Sequence, residues 1–128
     1  MTFSEIILLP KEALDYLEDS ISSTIEAETG TIDYLYGIDA KRESPTKLWI
    51  FSEEGGNIEL LASLIHETLN KFNVLGCISI SWADYCSKLR PGEFGGGAVV
   101  ITKDEIKWLS TVKWVTETEK QMNNLPNI

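Results

Sequence analysis

The sequence predicts an α+β domain built on one four-stranded, mainly antiparallel sheet with helices on one face, in the order αββαββα. Two observations point there: stretches with apolar residues at helical spacing, and short apolar runs of strand length between turn residues. A third sets the size. A chain of 128 residues that is 43% hydrophobic can fill one ordinary core, so a single domain over 1–128 is expected.

Pro10 stands where a first helical turn tolerates proline, and Ala13, Leu14, Leu17 and Ile21 then recur at helical spacing, which predicts a helix over 10–22. Ile32, Tyr34, Tyr36 and Ile38 alternate, with Asp33 between and Leu35 on the other face, and predict a strand. Residues 40–46 (AKRESPT) hold charge, Ser and Pro without a large apolar side chain and read as a surface loop. The run 48–52 (LWIFS) reads as a second strand, covered on both faces or lying beside a helix.

Asn57 is placed to cap a helix over 58–72, whose stripe is Leu61, Leu64, Ile65, Leu69 and Phe72. Ile78, Ile80 and Trp82 alternate with Ser79, Ser81 and Ala83, giving a strand with one bulky and one small-residue face. Residues 98–101 (AVVI) predict a buried strand, and Thr102 with Glu105 has the spacing of a capping box for a short helix. Ser110 or Thr111 can cap a last helix to about Met122, with Trp108, Val112, Val115 and Met122 near one face that is expected to lie on the sheet. The tail 123–128 has no periodicity.

No run approaches the ~20 apolar residues of a membrane span, and the apolar start is short with acidic flanks, so neither membrane association nor a secretory signal is expected and the cytoplasm is the default location. Two cysteines, Cys77 and Cys86, are too few for a disulfide framework or a four-ligand zinc site. No metal spacing is present, and no cofactor is expected.

The net charge of −9 is unevenly placed: residues 1–66 hold 13 acids and 4 bases, residues 67–128 hold 7 of each. Direct nucleic-acid binding needs a basic stripe and is not expected. An acidic first half suits a basic protein partner, or serves solubility alone.

The loop 85–97 (YCSKLRPGEFGGG) is the most distinctive segment, since it joins two expected antiparallel neighbours by more residues than a hairpin uses. It carries Cys86, Lys88, Arg90, Glu93 and Phe94 ahead of Gly95, Gly96 and Gly97, and these form the candidate ligand or partner surface. Three glycines permit positive backbone angles, and their amides beside Lys88 and Arg90 would suit an anion. Against that, phosphate loops lead from glycine into a helix, whereas here glycine leads into a strand. A bulged or twisted strand entry, with Phe94 folded onto the core, is the plainer reading.

Catalytic constellations are weak. Cys86 near Lys88 and Arg90 would need His66, the only histidine, as its base, and His66 lies off the apolar stripe of its helix. Asp84 and Glu93 flank the loop without a fixed separation, and Asp104 and Glu105 read as first-turn helix acids. Trp108 and Trp114 cannot share one buried helical stripe. An exposed Trp114 would mark a contact surface, with a second copy among the candidates.

The segment 82–114 carries Trp-Ala, Cys-Ser-Lys and Arg-x-Gly-Glu-Phe-Gly-Gly-Gly-Ala, and a Thr before a tryptophan-bearing stretch. In these motifs it resembles a family of small uncharacterised proteins encoded by bacteria and their phages, with weaker similarity over 48–72. The resemblance covers about half the chain and implies a phage or mobile-element origin without an activity. A non-enzymatic interaction protein is therefore the leading expectation, such as a modulator or inhibitor of a host protein, including a host-defence protein. A module binding a phosphate-bearing or nucleotide-like small ligand on the glycine loop is the alternative, and a hydrolase using Cys86 or Asp84 comes last.

Overall fold

The computed structural model describes residues 2–27, 35, 37–53, 56–84 and 95–123. Its elements run β1 (Phe3–Leu8), α1 (Lys11–Ala27), β2 (Asp39–Ser44), β3 (Lys47–Ser52), α2 (Ile58–Lys71), β4 (Ile78–Asp84), β5 (Gly95–Ile101), β6 (Ile106–Ser110) and α3 (Thr111–Asn123). The strands form two three-stranded antiparallel sheets, β1-β3-β2 and β4-β5-β6. The α+β class is as expected. The single four-stranded sheet is not, because β1, β6 and β2 are added to the expected β3, β4 and β5 and the strands divide between two sheets.

The first added strand is β1, where Phe3 and Ile7 enter the core while Ser4, Ile6 and Leu8 face out, and Glu5 between them is half-buried. The second is β6. Thr102 Oγ1 does accept from the amides of Asp104 and Glu105, as a capping box would require, but the Thr102 amide donates to the Glu105 carbonyl at 2.9 Å. That closes a tight turn, so the chain reverses into β6 instead of starting a helix.

β2 occupies the segment expected to be a loop. It is an edge strand, and its position opposite Leu48 is filled by Arg42 instead of an apolar residue, which removes the alternation that marks a strand. The strand expected over 32–38 lies largely outside the described residues, although Leu35 and Ile38 are buried. α2 begins as expected: Asn57 Oδ1 accepts from the Leu60 amide at 3.0 Å.

One apolar cluster unites the two sheets with α1 and α2. Ala13, Leu14, Leu17 and Ile21 of α1 and Leu61, Ala62, Ile65 and Leu69 of α2 pack over Ile7, Leu48, Ile50, Ile80, Val99 and Ile101. The sheets meet at one bridge, where Thr2 and Ala83 exchange backbone hydrogen bonds of 2.8 and 3.0 Å. Beyond it the strands part, and Glu5 Oε1 accepts from the Ser81 amide at 3.2 Å and from its hydroxyl at 3.3 Å. A carboxylate thus takes the place of a ladder bond in the seam. Among the described residues no helix is long and apolar enough to cross a membrane.

Candidate interaction surface

Cys86, Lys88, Arg90, Glu93 and Phe94 lie outside the described residues. Gly95, Gly96 and Gly97 are the first residues of β5 and pair with Asp84, Ala83 and Trp82 without a register shift. None of the three takes a positive φ, so the backbone freedom expected of them goes unused, and the strand entry has no bulge. They are small for another reason. A Cβ on Gly96 would stand 2.3 Å from the Trp82 carbonyl oxygen, and one on Gly97 would stand 2.5 Å from both the Leu109 carbonyl oxygen and Cζ2 of the Trp82 indole. Trp82 in turn meets Trp108 edge-on, with ring centroids 6.2 Å apart.

His66 is half-buried, and its Nδ1 lies 2.9 Å from the Thr102 carbonyl oxygen, so the ring donates there in the Nδ1–H tautomer. Asn70 Nδ2 donates to the Lys103 carbonyl at 3.0 Å. The two side chains tie α2 to the β5–β6 turn. Asp104 and Glu105 lie in that turn, not at a helix start, and Cys77 is exposed just ahead of β4. Among the described residues no group of three His, Cys, Asp or Glu side chains is close enough to hold a metal ion.

The helix layer carries the acidic surface. Arg42 reaches from β2 to Asp15 and Glu18 of α1, at 3.0 and 2.8 Å, and also donates to the Ser44 and Pro45 carbonyls. Lys11 donates to Asp15 at 2.9 Å, which holds the Asp15 carboxyl below the usual carboxylate range with help from Arg42 and against partial desolvation. The same bond raises Lys11. Between the helices, Tyr16 donates to Glu67 Oε1 at 2.6 Å, and this bond raises the phenol above its ordinary value.

Large apolar side chains are left uncovered in two places. The first is the junction of β6 and α3, where Trp108 is 47% and Trp114 56% exposed. Both line a cleft of about 150 Å³ with Leu109, Ser110, Lys113 and Glu117. α3 was expected to lay Val115 and Met122 on the sheet. Instead it projects from the end of β6, with its main contacts to β5 and β6 and both of those side chains exposed. Trp108 belongs to β6, so the two tryptophans never compete for one helical stripe.

The second place is the face of the sheets turned away from α1 and α2. Antiparallel register pairs Ile6 with Trp49 and Ser4 with Phe51 in one sheet, and Val100 with Lys107 and Ala98 with Leu109 in the other. Ile6, Leu8, Val100 and Leu109 are all exposed there. Trp49 and Phe51 stack at 4.1 Å, and the indole N–H of Trp49 donates to Ser4 Oγ at 2.8 Å. The run 47–52 is therefore covered by the core on one face only. Sequence reasoning passed over this surface, although the alternation in 3–8 and 47–52 contained it once both were read as one-faced strands.

Comparison of the chain with protein-family models, with curated proteins and with solved structures finds no match in any of the three.

Proposed function

We propose that this protein is a non-enzymatic interaction module that binds another protein through the junction of β6 and α3. The observation that carries the reading is the pair Trp108 and Trp114, both about half exposed and both lining one cleft. Tryptophan is the residue most enriched among energetic anchors of protein interfaces, and two indoles around a shared cleft offer an aromatic socket of that kind. Lys113 and Glu117 supply a polar rim. The acidic excess of residues 1–66 favours a partner with a basic surface and speeds its approach. The resemblance of segment 82–114 to phage-encoded proteins makes a host protein the first partner to seek.

Affinity capture from the native host with wild type and with Trp114→Ala tests this. A protein enriched by wild type and lost with Trp114→Ala, at unchanged melting temperature, supports it. Equal recovery by both, or turnover of a substrate by the isolated chain, overturns it.

A further inference from the structure

The free edge of a sheet presents main-chain groups that another strand can take up, and β6 is an edge that the described residues leave open. We propose that the protein forms a two-fold dimer in which the β6 strands of two copies pair antiparallel, joining the two β4-β5-β6 sheets into one.

The direction of the main-chain groups carries the first step. Along an antiparallel strand, residues alternate between those whose N–H and C=O face one neighbour and those whose groups face the other way. The Thr102 amide donates to the Glu105 carbonyl, and these two continue the register that pairs Ile101 with Ile106. Val100 and Lys107, the next pair in phase, face each other in the same way, and so do Ala98 and Leu109. Ile106, Trp108 and Ser110 therefore turn their main-chain groups outward. The far side of the sheet gives the same phase. Ala83 exchanges bonds with Thr2, and the Ser81 amide reaches Glu5, so both face away from β5, and their register partners Gly96 and Ala98 face β6.

Two other edges carry protection that β6 lacks. On β4 the outward groups of Ala83 and Ser81 are met by Thr2 and Glu5. β2 is interrupted by a register shift between Arg42 and Ser44 and lined with charge at Asp39, Lys41 and Glu43. β6 has no proline, no register shift and, among the described residues, no strand on its other side. Its one charge, Lys107, already lies 3.6 Å from Glu105 of its own turn. α3 runs back into contact with β5, on the closed side of the strand.

Register decides that a second copy fits. Antiparallel pairing about Trp108 sets that residue against its own counterpart, Ile106 against Ser110 and Lys107 against Leu109, so each outward residue meets an outward residue. The half-exposed indoles become cross-strand neighbours, and the Lys107 stem lies on the exposed Leu109. Glu105 then falls opposite Thr111, the first residue of α3 in the other copy, where the helix N-terminus and Lys113 favour a carboxylate. An axis at Lys107 would instead oppose two lysines, and one at Leu109 would run Lys107 into α3 of the other copy. A two-fold axis makes the contact mutual and closes the assembly. The pairing rests on the main chain of β6 and not on the cleft, so it fails or stands separately from the partner proposed above: Trp114→Ala leaves the dimer intact.

Sedimentation of the full chain over a wide concentration series tests it, using wild type, Trp108→Leu and Trp108→Pro. Both variants lose the indole, but only proline also removes the outward N–H, a loss that an edge strand tolerates. Wild type is expected at twice the monomer mass, Trp108→Leu as a weaker dimer, and Trp108→Pro about tenfold or more weaker again. Hydrogen exchange of wild type needs no variant. The Trp108 amide is expected to exchange slowly at high concentration and fast after dilution, while the Lys107 and Leu109 amides, which face β5, stay slow at both. Three results overturn the proposal: a wild type that is monomeric throughout, a Trp108→Pro chain folded by circular dichroism that dimerises as tightly as Trp108→Leu, or a Trp108 amide whose exchange ignores concentration.

Discussion

The indole of Trp82 lies against the Cα of Gly97, so that a Cβ added there would stand 2.5 Å from Cζ2 and 2.9 Å from Cε2. The strand can bring these two together because Trp82 and Gly97 are register partners across β4 and β5, on the face that looks into the core. Gly97→Ala is expected to destabilise the protein by about 1–3 kcal/mol, read as a lower urea midpoint at unchanged slope. Trp82→Leu made together with it should recover only part of that loss, since the added methyl also meets the Leu109 carbonyl oxygen. Gly96→Ala meets the backbone of Trp82 and should gain nothing from a smaller side chain at position 82.

Tyr16 yields a prediction at alkaline pH. Its phenol donates to Glu67, which favours the neutral form and raises its folded pKa above the ordinary value near 10. The associated stability is fully present below that ordinary value and is lost as pH rises through the raised folded one. Ultraviolet titration should show a late-ionising tyrosine that disappears in Tyr16→Phe. A Tyr16→Phe curve that matches wild type, late ionisation included, would refute the assignment.

Asp15 behaves in the opposite sense at acid pH. Its folded pKa is lowered, first by the Lys11 hydrogen bond and then by Arg42, so its contribution is present above the ordinary aspartate value near 4 and is lost as pH falls through the lowered one. Lys11→Ala should flatten the fall of stability with acid in that window. Arg42→Lys is a harsher change, expected to cost about 1–2 kcal/mol near neutral pH. An ammonium cannot reproduce the fork that reaches Asp15, Glu18 and two backbone carbonyls at once.

His66 acts as an anchor in the fold. His66→Ala removes the donor to the Thr102 carbonyl and frees the β5–β6 turn from α2, at an expected cost of about 1–2 kcal/mol. Amide exchange should rise first at Ile106 to Ser110, the strand that the turn positions. Exchange there that stays as slow as in wild type would show that Asn70 alone holds the turn.

The parts of the fold that were legible in the sequence are those where one side chain decides the outcome locally. Asn57 caps α2 because its carboxamide meets an amide three residues on, and the bulky and small faces of β4 follow from strict alternation. The parts that were not legible depend on remote neighbours. Arg42 makes an edge strand possible by reaching α1, and Thr102 forms the same side-chain bond at a turn as it would at a helix start. At the candidate site, the three glycines stood out in the sequence, but what they accommodate, the indole and backbone of residue 82, is set by the pairing of β4 with β5. Trp108 lies on β6, off the last helix, so the exposure of Trp114 does not come from competition between the two indoles for one stripe.

Glu5 and Ser81, joined across the seam, are 76 residues apart, whereas β2 pairs with β3, β4 with β5 and β5 with β6 as successive strands. Loop-closure entropy therefore separates the order of assembly from the order of synthesis. β1, which precedes the other described strands in the chain, is expected to be the last of them to lock, waiting at the edge of β3 until β4 exists to receive it. Until then the chain is expected to hold the β2–β3 hairpin and the three-stranded β4–β5–β6 unit over a half-built core, which the Glu5–Ser81 contact closes last.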